Sequence, residues 1–292
     1  MKWLHVLLFL LLLQACGTIS RDRAFMQDHA RWEKERVARL KSESGWLNLA
    51  GLYWLEAGEN TFGSDSSNRI VFPPAAPAVI GTYLLRGDSI RFIPAEGAVV
   101  LHNGAPAAEM AVRTDLSDSV TILESGRLRW FIIRRGSGFA IRLRDLKNPA
   151  LKDFRGIESF PVERKWDIPA EFKAYRDPVE MLIPSVTGGL QHYLSPGILH
   201  FKAAGKELEL HPVREGNRLF IIFADETSGH ETYGGGRFLY AGLPQGDQTV
   251  MLDFNRAYNP PCAFTPYATC PLPPRENILP VRIEAGEKFG GH

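Results

Sequence analysis

The chain has 292 residues, enough for one large or two ordinary domains that each bury a core. Its 34 basic and 33 acidic residues nearly cancel, which excludes the broad positive field of a nucleic-acid or acidic-lipid binder. Partner choice therefore falls to local pockets.

The first fifteen residues, MKWLHVLLFLLLLQA, carry one positive charge at Lys2 and an unbroken apolar run over residues 6–13. That run is too short to span a bilayer as a helix, which takes about 20 residues. Residues 1–15 therefore read as an export signal. Leu13-Gln14-Ala15-Cys16 then resembles the lipobox of bacterial lipoproteins, and the polar run Gly17-Thr18-Ile19-Ser20-Arg21-Asp22 follows at once. The resemblance implies cleavage before Cys16 and a lipid anchor, a thioether-linked diacylglycerol on its sulfur, with acyl chains of the palmitate kind. Two or three such chains hold a protein on a membrane where one gives marginal binding. The expected location is the cell envelope; in a Gram-negative host, Gly17 after the cysteine implies the outer membrane, facing the periplasm or the surface. An ordinary export signal with an incidental cysteine is the alternative.

Residues 23–44 have high helix propensity and place Phe25, Trp32, Val37 and Leu40 on one stripe, with Gly45 expected to stop the helix in the left-handed conformation. Residues 16–45 thus read as anchor and linker helix. Beyond Gly45 the period changes to two. Residues 90–93, 120–123 and 139–144 are strand-like runs between Gly-rich turns at 87, 126 and 136. They predict an antiparallel β-sandwich over residues 46–160. Trp46, Trp54 and Trp130 read as core or strand-pair residues, with a sugar-stacking platform as the alternative. Arg144-Asp145 and Arg155-Gly156 read as solvated strand ends, or as part of a site if the two halves pack together.

An aperiodic stretch over 148–161 marks a soft boundary. Strand candidates then recur at 179–183, 198–202, 208–213, 219–224, 237–240 and 250–254, a second antiparallel β-domain over 161–292. The fold class is all-β: an N-terminal helix, a β-sandwich and a second β-domain closed by a Pro-rich loop. The cysteines that remain, Cys262 and Cys270, read as a disulfide in an oxidising compartment, stabilising by roughly 2 to 3 kcal/mol. Seven intervening residues fit neither a C-x-x-C redox pair nor a metal site.

Two segments concentrate polar groups. In the first, Asp225, Thr227, His230, Glu231, Tyr233 and Arg237 surround Gly234-Gly235-Gly236. Arg237 suits a carboxylate, phosphate or sugar hydroxyl, and His230 beside carboxylates suits general acid or base work. A plain β-turn with a buried Asp–Arg ion pair is the competing reading. The second segment carries Asp253, Asn255, Tyr258, Asn259, Glu276 and Asn277, with six prolines between 260 and 274 that lower the entropy lost on ordering. A rigid polar loop serves as a lid over a ligand, or as a plug whose Asn and Asp side chains satisfy backbone groups.

The segments GWLNLAGLYWLEAGENTFGS, FRGIESFPV, FADETSGHETYGGGRFLYAGLP and YNPPCAFTPYATCPLPP resemble the bacterial domain-of-unknown-function family 1684, over nearly the whole mature chain. That resemblance supplies no catalytic residues. A fainter one relates residues 58–104 to a forkhead-associated sandwich, without its phosphothreonine-gripping Arg and Ser-x-x-His elements. The nucleophile elbow, the phosphate loop and the zinc pair H-E-x-x-H are missing. Arg86-Gly87-Asp88 is explained by a hairpin turn. No metal, cofactor or nucleic acid is expected.

The leading functional expectation is an envelope lipoprotein that binds a small polar ligand, a glycan or an envelope partner through its C-terminal domain. A hydrolase using a carboxylate pair drawn from Asp225, Glu231, Asp253 and Glu276 is the second. A scaffold without a small-molecule site is the third.

Overall fold

The computed structural model describes residues 2–290, with side chains from residue 22 onward. The expected signal segment and the Cys16 anchor lie outside the described side chains. One helix, α1 (Lys2–Lys41), leads into the body. Among its described side chains, those of His29, Arg36 and Leu40 are buried, while Phe25, Trp32 and Val37 are only half-buried. The buried stripe is thus partly polar, because the surface beneath supplies acceptors: His29 Nε2 lies 2.9 Å from the Asn255 carbonyl, and Arg36 meets Glu287. Gly45 ends this region without the left-handed conformation expected of it. It is required because a Cβ there would sit 2.2 Å from the Leu40 carbonyl oxygen.

The first half contains β1 (Leu49–Trp54), β2 (Gly58–Gly63), β3 (Ile70–Val71), β4 (Gly81–Arg86), β5 (Ser89–Pro94) and β6 (Leu101–His102). It continues with β7 (Ala105–Pro106), β8 (Met110–Ala111), β9 (Leu123–Ser125), β10 (Leu128–Arg135) and β11 (Gly138–Asp145). A six-stranded sheet, β1-β11-β10-β9-β6-β7, faces a five-stranded one, β3-β2-β4-β5-β8. All pairs are antiparallel except β2 with β3. Alternation along β5 and β10 puts Phe92, Trp130 and Ile132 inward beside Phe62 and Tyr83, and Trp130 Nε1 donates to the Tyr83 hydroxyl at 3.0 Å. One local expectation differs: residues 120–122 stay out of the sheets, Thr121 bonding to Arg113 instead. Trp54, 44% exposed, takes the strand-pair role, opposite Ala140 and over Gly138 of β11.

After the short α2 (Ala150–Asp153), the second half contains β12 (Asp167–Pro184), β13 (Leu190–Ala203), β14 (Lys206–Leu210), β15 (Val213–Glu215), β16 (Arg218–Phe223), β17 (Arg237–Gly242) and β18 (Thr249–Asp253). They form the sheets β14-β13-β12-β18 and β15-β16-β17. The core between them holds Phe172, Phe201, Ile221, Phe223, Leu239 and Phe254. Leu279, Val281 and Ile283 of the closing segment enter the same core. The outer face of the three-stranded sheet, Phe220, Ile222 and Phe238, packs with Ala268 and Cys270. The protein is all-β apart from α1 and short helical turns, with two β-domains in sequence.

Candidate ligand-binding cleft

The Gly-rich turn forms a closed knot. Asp225 Oδ2 accepts from Arg237 Nη2 at 2.5 Å, and both side chains are fully buried. Arg237 also donates to the carbonyls of Ile283 and Ala285, tying the closing segment to the turn. Asp225 Oδ1 accepts from Thr227 N at 2.7 Å and from its hydroxyl at 2.6 Å. Burial pulls the Arg237 pKa below its ordinary range, opposed by Asp225. Around the knot, His230 is exposed, Glu231 pairs with Arg282, and Tyr233 packs edge-on against Phe289.

The closing segment is similarly engaged. Asn255 brackets the Glu163 backbone, accepting from N at 2.9 Å and donating to O at 3.0 Å. Asp253 caps the turn after it and pairs with Arg256. Tyr258 lies under the Arg36 guanidinium at 4.7 Å. Asn259 donates through its backbone to Glu287 and through its amide to the Lys288 carbonyl. Asn277 bridges His211 N and O and donates to the Ile222 carbonyl. Glu276 is exposed. Asp225, Glu231 and Asp253 each pair with a separate arginine: Arg237, Arg282 and Arg256. Asp225, Thr227, Arg237, Asn255, Asn259 and Asn277 of the expected site are engaged in internal bonds, while His230 and Glu276 stay exposed.

The open site lies elsewhere. A cleft of about 640 Å³ separates the outer face of β10 and β11 from the second half. The sequence GFAIRLRD of β11 sends Phe139, Ile141 and Leu143 into the first core, so Ala140, Arg142 and Arg144 face outward. On β10, Arg135 faces outward beside them. Cover comes from the disulfide-closed loop: Cys262 and Cys270 are bonded, and adjoining Thr269 accepts from Arg135 Nε and Arg142 Nη2, each at 3.1 Å. No acceptor takes the Thr269 hydroxyl proton among the described residues, so it can be donated into the cleft.

The two arginines differ in how they are compensated. Arg135 donates to Asp115 at 2.7 Å. Arg142 is 5% exposed and has no carboxylate partner among the described residues; its Nε has no acceptor, and Trp46 lies 5.7 Å from its guanidinium. Burial first, then the positive charge of Arg135, pull its pKa down to about 10, with Asp115 opposing. Arg144 is also pulled to about 10 by burial, but it donates to Asn48 at 2.8 Å and to the Gly45 carbonyl. A buried cation short of acceptors is costly unless an anion joins it. Bidentate N–H donors plus a hydroxyl suit a phosphate or carboxylate. Among the described residues no group of three or more His, Cys, Asp or Glu is arranged to hold a metal ion.

Arg135, Arg142 and Thr269 were not among the sequence-derived candidates. Residues 152–288, which supply Thr269 and the wall formed by Gln191, Tyr193 and Glu215, match the model of the family described as "Protein of unknown function (DUF1684)". The chain belongs to the DUF1684 family. The match is shorter than the resemblance read from the sequence: GWLNLAGLYWLEAGENTFGS lies outside it, as do both cleft arginines. The solution NMR structure of an uncharacterised protein of Haloarcula marismortui is 30% identical to this DUF1684 protein, covering 47% of this chain and 78% of that one, with a TM-score of 0.40. No curated protein matches.

Proposed function

We propose that this DUF1684 protein is an envelope lipoprotein that binds a small anionic ligand in the cleft between its two β-domains. The observation that carries the reading is Arg142: buried, lacking a carboxylate, and short of one acceptor beside a hydroxyl that has a proton to donate. An arriving phosphate or carboxylate supplies the missing charge and acceptor. The envelope part rests on the export-type N-terminus, on Cys16 at the end of its apolar run, and on the Cys262–Cys270 bond, which persists in oxidising compartments. Among the described residues no helix is long and apolar enough to cross a membrane.

The test is a thermal-shift series on the full chain in detergent with inorganic phosphate, acetate and succinate. An anion at roughly 100 times its dissociation constant adds about 2.7 kcal/mol of apparent stability. Stabilisation of the wild type that is lost in a folded Arg142→Met variant supports the reading. No response to any anion, or an equal response in the variant, overturns it. Palmitate labelling of cells, lost on Cys16→Ser, checks the anchor separately.

A further inference from the structure

A second recess, of about 750 Å³, shares Trp46 with the anion cleft and lies between the C-terminal end of α1 and β17. A stacked pair of tyrosine rings lies between two guanidinium groups along its wall. Arg36 lies 4.7 Å from the Tyr258 ring and Arg218 lies 4.0 Å from the Tyr240 ring, while the two tyrosine rings are nearly parallel, with centroids 6.1 Å apart. Arg36 is committed to buried Glu287 at 2.8 Å. Arg218 is exposed and has no carboxylate partner among the described residues; its contact there is the face of Tyr240. The recesses are also linked chemically, because Glu215 of the first accepts the hydroxyl of Tyr240 in the second.

Layered rings and planar guanidinium groups recognise another flat π-system. A ring inserted against them gains stacking on its faces, while a flexible chain or a bare inorganic ion gains nothing. The anion position and the stacking wall meet at Trp46, which faces the Arg142 guanidinium and lines both recesses.

We propose that the ligand is a ring-bearing anion, in which a phosphate or carboxylate held by Arg142 and Thr269 is joined to a planar aromatic ring that passes Trp46 and stacks on the Tyr240–Arg218 layer. The inference rests on the anion reading and adds the other end of the molecule. It explains why a small anionic site opens beside a second, larger recess.

The experiment is calorimetric titration of the full chain in detergent with inorganic phosphate, 4-nitrophenyl phosphate and adenosine 5′-monophosphate. The two ring-bearing phosphates are expected to bind roughly tenfold more tightly than phosphate, a typical effect of one stacked base. Tyr240→Leu is expected to bring that ratio towards one. Arg218→Met, at an exposed position, reads the same ratio if the tyrosine variant does not fold. Phosphate binding with no preference for either ring compound overturns the ring inference and leaves the anion reading standing. An unchanged ratio in the folded variants also overturns it. If none of the three phosphates binds the wild type, the phosphate form of both readings is overturned together.

Discussion

Replacing Arg142 with methionine is expected to stabilise the unliganded protein while abolishing its anion binding. Burial and Arg135 hold the folded-state pKa of Arg142 at about 10, below the ordinary arginine value. By linkage this depression withholds at most about 3 kcal/mol of stability at neutral pH. The sign follows from proton counting. Between about pH 10 and the ordinary arginine range the unfolded chain binds more protons than the folded one, so stability rises with pH there and the penalty is constant below that window. Against the relief stand the hydrogen bond to Thr269, about 1 kcal/mol, and the stacking on Trp46, also about 1 kcal/mol. Thr269 keeps its bond from Arg135 in the variant. A net gain of about 1 kcal/mol remains, or roughly 2 °C for a chain of this size. Urea denaturation and calorimetry at neutral pH and low chloride measure it. Adding saturating ligand should invert the order, because only the wild type is stabilised. If Arg142→Met loses 1 kcal/mol or more without ligand, Arg142 is a structural strut and the argument for a missing anion fails.

Arg237→Met leaves Asp225 buried without its cation and bares the carbonyls of Ile283 and Ala285, so a loss of about 3 to 5 kcal/mol is expected in urea denaturation. Asp225→Leu combined with Arg237→Met should recover part of that loss, and strict additivity would show that the two do not act as a unit. Cys262→Ser with Cys270→Ser should cost roughly 2 to 3 kcal/mol. It should also weaken phosphate binding, because Thr269 adjoins the bond; unchanged affinity would show that the loop holds Thr269 without it.

The all-β class was legible because β5 and the inward residues of β11 follow strict alternation beside Gly turns. The closed knot at Asp225 and Arg237 was legible as one of two readings, since an Asp and an Arg flanking glycines fit a buried ion pair first and an open site as well. The cleft was not legible for a definite reason. Alternation assigns Arg142 to the outer face of its sheet, and an outward arginine reads as solvated. What buries it is a loop about 127 positions later in the chain, whose Thr269 meets it across the domain boundary. Period and propensity carry no information about a contact of that range. The same limit displaced the stripe on α1, where His29 and Arg36 are buried by acceptors at Asn255 and Glu287 that helix periodicity does not anticipate.

That docked helix changes what the N-terminal segment does. A linker would leave the body indifferent to its removal, yet Arg36 and Glu287 are both less than a tenth exposed and 2.8 Å apart, with Asn259 donating to the same carboxylate. Deleting the helix strands Glu287 without its cation and uncovers the site of Leu40, which is fully buried. Loss of the ion-pair partner alone costs about 3 to 5 kcal/mol, and removing a buried leucine side chain adds about 2 to 5 kcal/mol. A chain beginning at residue 22 keeps every one of these contacts and should melt with the full chain; one beginning at residue 42 should melt far lower or fail to fold. Equal melting of the two truncations would make α1 a tether. Unequal melting means that residues 22–41 are part of the folded body rather than a tether to it, and their C-terminal end walls the second recess.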